Sequence, residues 1–245
     1  MGTYGWVMFS LFILIFVFMF YGISAQSKFR KTNLKWSQVR AKNNLTGAQI
    51  AQEILAKNGI QNVVVMQGQK EGVDHYDPRK NHIVLSPSTY GSASISAQAI
   101  AAHEVGHALQ WAHQEFSIKI RDSLAGPVGA IQKVTSTMMN IAFFFLFWGI
   151  LFSNGGVQGW MMFWMISATV MYGAVGVFQL ATLPVEYGAS RKAKHQLASL
   201  GFIENKSDEG TNEVLSAASK TYLIAFLMTL TMFLYLLLRL LGSRR

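Results

Sequence analysis

His103-Glu104-Val105-Gly106-His107 is the stretch on which the reading of this chain turns. On an α-helix, residues four apart lie one turn up and only about 40° around, so both imidazoles project from one face. Two neutral histidines at that spacing can hold one zinc ion, and the glutamate between them can reach a water on the metal. Metalloproteases are built this way: zinc polarises the scissile carbonyl and the glutamate takes the proton from the water. The bland reading is two polar residues on an apolar helix, satisfied by hydrogen bonds. The flanking sequence has to separate the two.

That flank favours a buried helix. Between Ser94 and Gln114 there is no proline, and Gly106 is the one glycine. Ser94 or Ser96 can cap the start, and the alanine-rich body has high helix propensity. Ile100, Ala101, Val105, Ala108 and Leu109 would bury the helix in an interior.

Composition excludes an ordinary soluble protein. Charged residues make up 13% of the chain and hydrophobic ones 51%, with seventeen phenylalanines among them. Residues 1–27, 134–185 and 221–238 carry no charge at all. A membrane-crossing helix needs about 20 mostly apolar residues. The first run fits one span near 4–23, and the middle run fits two, near 138–152 and 160–183, joined by the turn at 153–159. The last fits one near 222–242, with Arg239 able to snorkel at its end. Tyr4, Trp6, Trp160, Trp164, Tyr187 and Tyr222 lie near these ends, as interfacial aromatics do. The first span reads as an uncleaved anchor: no lysine or arginine precedes it and no A-x-A site follows.

The net charge of +9 has a topological explanation. Lys28, Arg30, Lys31, Lys35, Arg40 and Lys42 follow the first span directly. By the positive-inside rule the amino terminus is outside and residues 28–133 are cytoplasmic. Arg191, Lys192 and Lys194 then return to the same side, while Arg244 and Arg245 run against the rule. Nucleic-acid binding, the competing use of a basic chain, is discounted because the excess hugs membrane edges, where anionic lipid attracts it. The absence of cysteine removes thiolate catalysis and cysteine-type zinc sites.

In the polar part, Thr46 and Gln49 have capping-box spacing ahead of a helix over 47–58 that stops at Gly59. Residues 62–66 and 82–86 read as strands and 77–81 as a turn. The second strand, placed before the zinc helix, could hydrogen-bond an extended peptide if its edge is free; an ordinary structural strand is the alternative. Pro184 can start a helix over 184–200, Gly201 stops it, and 208–219 forms a further short helix.

A catalytic zinc site needs a third protein ligand. His113 completes a metzincin spacing, but those enzymes need glycine where this chain has Gln110. Without a break, His113 lies about 600° of rotation past His107 and points elsewhere. Glu186 is the better candidate. It is the first acid after the charge-free run, where a carboxylate is costly unless paired or metal-bound. A surface glutamate favoured by a helix N-terminus is its alternative.

Three motifs carry a family resemblance: His103–Gln110 (H-E-V-G-H-A-L-Q), Asp74–Pro78 (D-H-Y-D-P) and Leu183–Arg191 (L-P-V-E-Y-G-A-S-R). Together the chain resembles the YugP family of membrane zinc metallopeptidases, related in motif logic to HtpX-like membrane proteases, and the likeness covers nearly the whole chain. It implies zinc held by His103, His107 and Glu186, with Glu104 as base. Family members usually read P-V-E-F-D-A-S, with aspartate or asparagine where this chain has Gly188. Losing a supporting polar residue there would weaken metal binding by about 10–100-fold, and Ser190, one turn beyond Glu186, is placed to substitute in part. His75, Tyr76, Arg191 and His195 are the candidates for oxyanion or substrate contacts.

The resulting expectation is an α+β integral membrane protein. Four transmembrane helices accompany a mainly helical, gluzincin-like zinc protease domain with a small β-sheet. Its parts are an anchor (1–27), a catalytic region (28–133), a transmembrane hairpin (134–183), a third-ligand region (184–220) and a last span (221–245). The expected function is a zinc-dependent endopeptidase of the plasma membrane, facing the cytoplasm and cleaving membrane or membrane-proximal proteins. The alternative is a weak or inactive scaffold that binds partner proteins. Expected partners are a protein or peptide substrate and the lipid bilayer, with a membrane-protein partner or a second copy as further candidates and no nucleic acid.

Overall fold

Thr46 shows how local chemistry sets the first polar element. Its hydroxyl accepts from the Gln49 N–H at 3.3 Å, while Gln49 Oε1 accepts from the Thr46 N–H at 2.8 Å. This reciprocal cap starts helix α2 (Gly47–Lys57). Ile50, Ala51, Ile54 and Leu55 form its buried face. The chain leaves through Gly59, whose φ of +69° only glycine adopts freely. These positions belong to a computed structural model that describes residues 3–133, 157–203 and 209–242.

Three short strands follow: β1 (Val64–Gln67), β2 (His75–Asp77) and β3 (His82–Leu85), in the order β1-β3-β2. β1 runs parallel to β3 with Val65 opposite Ile83, and β2 runs antiparallel with Tyr76 opposite Ile83. Asp77 closes the β2–β3 turn by accepting from the Arg79 N–H at 2.9 Å. The central strand is therefore β3, with a neighbour on each side. It has no free edge for a peptide; the outward edges belong to β1 and β2. Asp74 ties this corner down, its carboxylate accepting from the Ser86 N–H at 2.7 Å.

After the single turn α3 (Pro87–Tyr90), Ser94 caps α4 (Ile95–Ala112), its hydroxyl accepting from the Ala97 N–H at 3.2 Å. The helix ends at His113, and Gln114 turns the chain at φ +52° into α5 (116–133 in the described residues). The side chains of Ile50, Ile54, Ile83, Leu85, Val105 and Leu109 are fully buried together, joined by Leu197 and Val214 from later helices.

Among the described residues, three helices are long and apolar enough to cross a membrane: Tyr4–Ser37, Met162–Ser199 and Glu209–Gly242. They lie in α1 (Thr3–Ser37), α6 (Val157–Ser199) and α7 (Glu209–Gly242). The span expected near 138–152 lies outside the described residues. Two breaks expected from the sequence are absent. Pro184 is interior to α6 rather than at a helix start; one missing N–H and one displaced carbonyl do not end a helix held by packing on both sides. Likewise α7 runs unbroken from its polar first turns into its apolar run, because a change of polarity alone does not interrupt helical hydrogen bonding.

The chain divides into two packing units, Met1–Gly22 with Ile120–Ala181 and Leu223–Arg245, and Ile23–Lys119 with Thr182–Tyr222. In the first, the Tyr4 hydroxyl donates to the Leu238 carbonyl at 2.9 Å, and Gly173 leaves room for the Phe233 ring. Large apolar side chains such as Phe12, Phe16 and Val170 face outward there. The second unit holds the sheet, α2, α4 and the polar ends of α1, α6 and α7.

Candidate metal centre

Gly106 determines what can approach α4. A glycine inside a helix costs about 1 kcal/mol relative to alanine, so packing must account for it. A Cβ at Gly106 would lie 2.6 Å from the Ala189 carbonyl oxygen and 3.0 Å from the Ala189 Cα. The backbones of α4 and α6 therefore meet in direct contact at this point. Glu186, one turn before Ala189, is brought onto the histidine face as a result.

The carboxylate faces both rings. Glu186 Oε2 lies 3.3 Å from His103 Nε2, and Oε1 lies 3.8 Å from His107 Nε2. One ligand atom from each of the three residues falls within 4.8 Å of the others, and the group is largely buried. Two imidazoles and one carboxylate are a donor set suited to zinc, at the count that leaves a coordination position open. The residues therefore fit the metal.

Both outer ring nitrogens are held. His107 Nδ1 lies 3.0 Å from Gln110 Oε1, and Gln110 Nε2 donates to the Val185 carbonyl at 2.9 Å. Because the amide NH₂ is committed to Val185, its oxygen must accept, so His107 carries its proton on Nδ1 and presents a lone pair at Nε2. His103 Nδ1 lies 3.2 Å from Ser190 Oγ, which lies 3.3 Å from Ser219 Oγ, and Ser219 donates to the Leu215 carbonyl at 2.9 Å. That chain of hydroxyls runs to a main-chain acceptor and sets the His103 tautomer in the same sense.

Gly188 takes part through its lack of a side chain. A Cβ there would lie 2.7 Å from Gln110 Nε2, so the glycine makes room for the fully buried amide that holds His107. Gln110→Ala should weaken zinc binding by about 10–100-fold, read by competition with a metallochromic chelator. Gly188→Ala should act in the same direction and less strongly, because the end of the Gln110 side chain can swing. Unchanged affinity in Gln110→Ala would remove the amide from the account.

Glu104 points from the same helix into a cleft of about 660 Å³ whose walls include Arg30, Asn33, Asp74, His103 and Tyr222. Burial pushes its carboxyl up to about 7; His103 opposes this, Glu186 and Asp74 add to it, and a hydrogen bond from the Tyr76 main-chain amide favours the ionised form. Burial alone would lower the His103 pKa, but the Glu186 hydrogen bond and the charges of Glu104 and Glu186 raise it overall. The cluster thus attracts positive charge between the ligand atoms.

The structure gathers His103, Glu104, His107 and Glu186 and leaves the other sequence candidates elsewhere. His75 lies exposed on β2, and the Tyr76 hydroxyl donates to Asn81 Oδ1 at 3.2 Å, so β2 reaches Glu104 through its backbone. Arg191, His195 and His113 line a different groove. Sequence reading missed Gln110, whose signal was its position three residues after His107 on the same helix face. Arg30, a topology signal in the sequence, lies on the wall of the cleft that Glu104 enters.

With this geometry in place, the comparisons with known proteins define the class. Residues 11–241 match the family described as "Putative neutral zinc metallopeptidase", and the chain belongs to that family of zinc metallopeptidases. A curated relative, the "Putative membrane protease YugP" of Bacillus subtilis (strain 168), is 36% identical over 206 residues, covering 84% of this chain and 85% of the relative. No solved structure matches.

Proposed function

We propose that the chain is a membrane-embedded zinc endopeptidase that hydrolyses peptide bonds of membrane or membrane-proximal proteins. The observation that carries this reading is the convergence of His103, His107 and Glu186 beside the buried Glu104 at a cleft. His103, His107 and Glu186 would hold zinc, making the site gluzincin-like in taking its third ligand from a separate helix. Bound there, zinc supplies Lewis-acid polarisation of the scissile carbonyl and acidifies water. Glu104 takes a proton from the attacking water and returns it to the leaving amine, the role a carboxylate between two zinc-binding histidines is placed to play. The Tyr76 amide holds that carboxyl in place. Arg30, the cation on the cleft wall, takes the substrate-contact role that the sequence had offered to Arg191 and His195.

The proposed topology has four spans, with the amino terminus outside and the site on the cytoplasmic face of the plasma membrane. The basic residues after the first span and at 191–194 support it. The relative's name as a membrane protease agrees with a substrate drawn from the bilayer or its edge.

Zinc content of purified wild type measured beside Glu186→Ala tests the ligand set. We expect about one zinc per chain in wild type and a clear loss in the variant. Cleavage of membrane extract should then disappear with a chelator and return with zinc. A wild type that stays metal-free, under conditions that load a control metalloprotease, would favour the inactive scaffold.

A further inference from the structure

A second groove lies against the other side of the third-ligand helix. It encloses about 900 Å³, and its cations are Arg191, Lys192 and Lys194 from α6 and Lys220 from α7. Lys192 is engaged by Glu115 at 2.6 Å. Arg191, Lys194 and Lys220 make no ion pair among the described residues. Like charges gathered in one groove repel one another, and an anion placed among the three unpaired ones relieves that repulsion. The hydroxyl of Ser216 and the exposed, largely apolar Pro184 and Tyr187 complete the lining.

Position in the sequence identifies the anion. Arg191 and Lys194 follow within ten residues of the end of the charge-free run 134–185, and Lys220 is the last charge before the charge-free run 221–238. Tyr187 and Tyr222, at those same two boundaries, are 45% and 40% exposed, as interfacial aromatics are. Cations from two helices thus converge where each enters its apolar run, which is the level of lipid headgroups. An acidic peptide would need the charges but not the boundary position, the exposed tyrosines or the apolar lining.

We infer that this groove is a binding site for the phosphate-bearing headgroup of an anionic phospholipid. Arg191, Lys194 and Lys220 hold the phosphate, and the exposed Pro184 and Tyr187 meet the glycerol and upper acyl chain. The site is independent of peptide cleavage and requires only that the chain reside in a membrane.

The test uses delipidated full-length protein in neutral detergent, with lipid binding read by native mass spectrometry. Wild type should retain phosphatidylglycerol over phosphatidylcholine. The triple variant Arg191→Ala, Lys194→Ala, Lys220→Ala should lose that preference by on the order of 100-fold, given the usual contribution of each cation near an anionic surface. The single variant Lys220→Gln, at an exposed side chain, should lose about fivefold and guards against misfolding of the triple. A control triple, Lys70→Ala, Arg79→Ala, Lys80→Ala, removes equal charge from exposed positions elsewhere and should keep the preference. Retention of the preference by the groove triple, or its loss in the control triple, would overturn the assignment. Displacement of the lipid by millimolar inorganic phosphate would point to a free-phosphate site instead, and displacement by a glutamate-rich peptide to a peptide site.

Discussion

Glu104→Gln should leave zinc at the wild-type level and lower cleavage by about 10²–10⁴-fold, the usual contribution of a positioned base. The amide has the same shape, and its oxygen can still accept the hydrogen bond from the Tyr76 amide that the carboxylate receives. His103, His107 and Glu186 keep their mutual geometry, because Glu104 is not among the converging donor atoms. What is lost is a group that takes and returns a proton. Zinc content and cleavage of the same preparation separate these effects. A variant that still cleaves at half the wild-type rate would remove the base assignment, and one that loses zinc would show that Glu104 supports the ligands.

The second large effect should come from a single methyl group. Gly106→Ala retains every side chain with chemistry to offer and improves helix propensity by about 1 kcal/mol. Yet its Cβ would lie 2.6 Å from a main-chain oxygen and 3.0 Å from a Cα of α6. Backbone cannot rotate away as a side-chain end can, so α6 must retreat, and Glu186 retreats with it. Zinc occupancy should fall at least tenfold, in the range that disturbed ligand support produces, and cleavage should fall with it. Gly126→Ala, where a Cβ meets nothing within 4 Å, is the control and should load metal as wild type does. Full zinc loading in Gly106→Ala would mean that the close approach of the helices is not what delivers Glu186.

Local chemistry was legible and long-range partnership was not. The caps at Thr46 and Ser94 and the stops at Gly59 and Gly201 could be read because each is decided within a few residues. β2 could not, since His75-Tyr76-Asp77 has no alternating apolar pattern and becomes a strand only by pairing with β3. The helix through Pro184 was misjudged because proline was weighed as a local signal against packing the sequence does not display. At the metal centre the two histidines announced themselves by spacing. The role of Gln110 depends on Val185, 75 residues away, and the use made of Gly188 depends on Gln110 in turn. Neither reaches a reader of one linear sequence.

The amino-terminal helix has a consequence for anyone who would work with a soluble fragment. Gln26, Phe29, Arg30 and Asn33 of α1 form part of the cleft wall. Asn33 also bonds Ser96 in the first turn of the helix that carries both histidines, and the Trp36 indole donates to Glu213 at 2.8 Å. The apolar run that is long enough to cross a membrane and the residues that line the cleft belong to one helix, Thr3–Ser37. Clipping the chain near its point of exit would leave that wall as a short, frayed peptide end. Such a cut is expected to remove one wall of the cleft along with the apolar segment, so a fragment lacking residues 1–27 should lose the cleft's shape as well as its apolar helix.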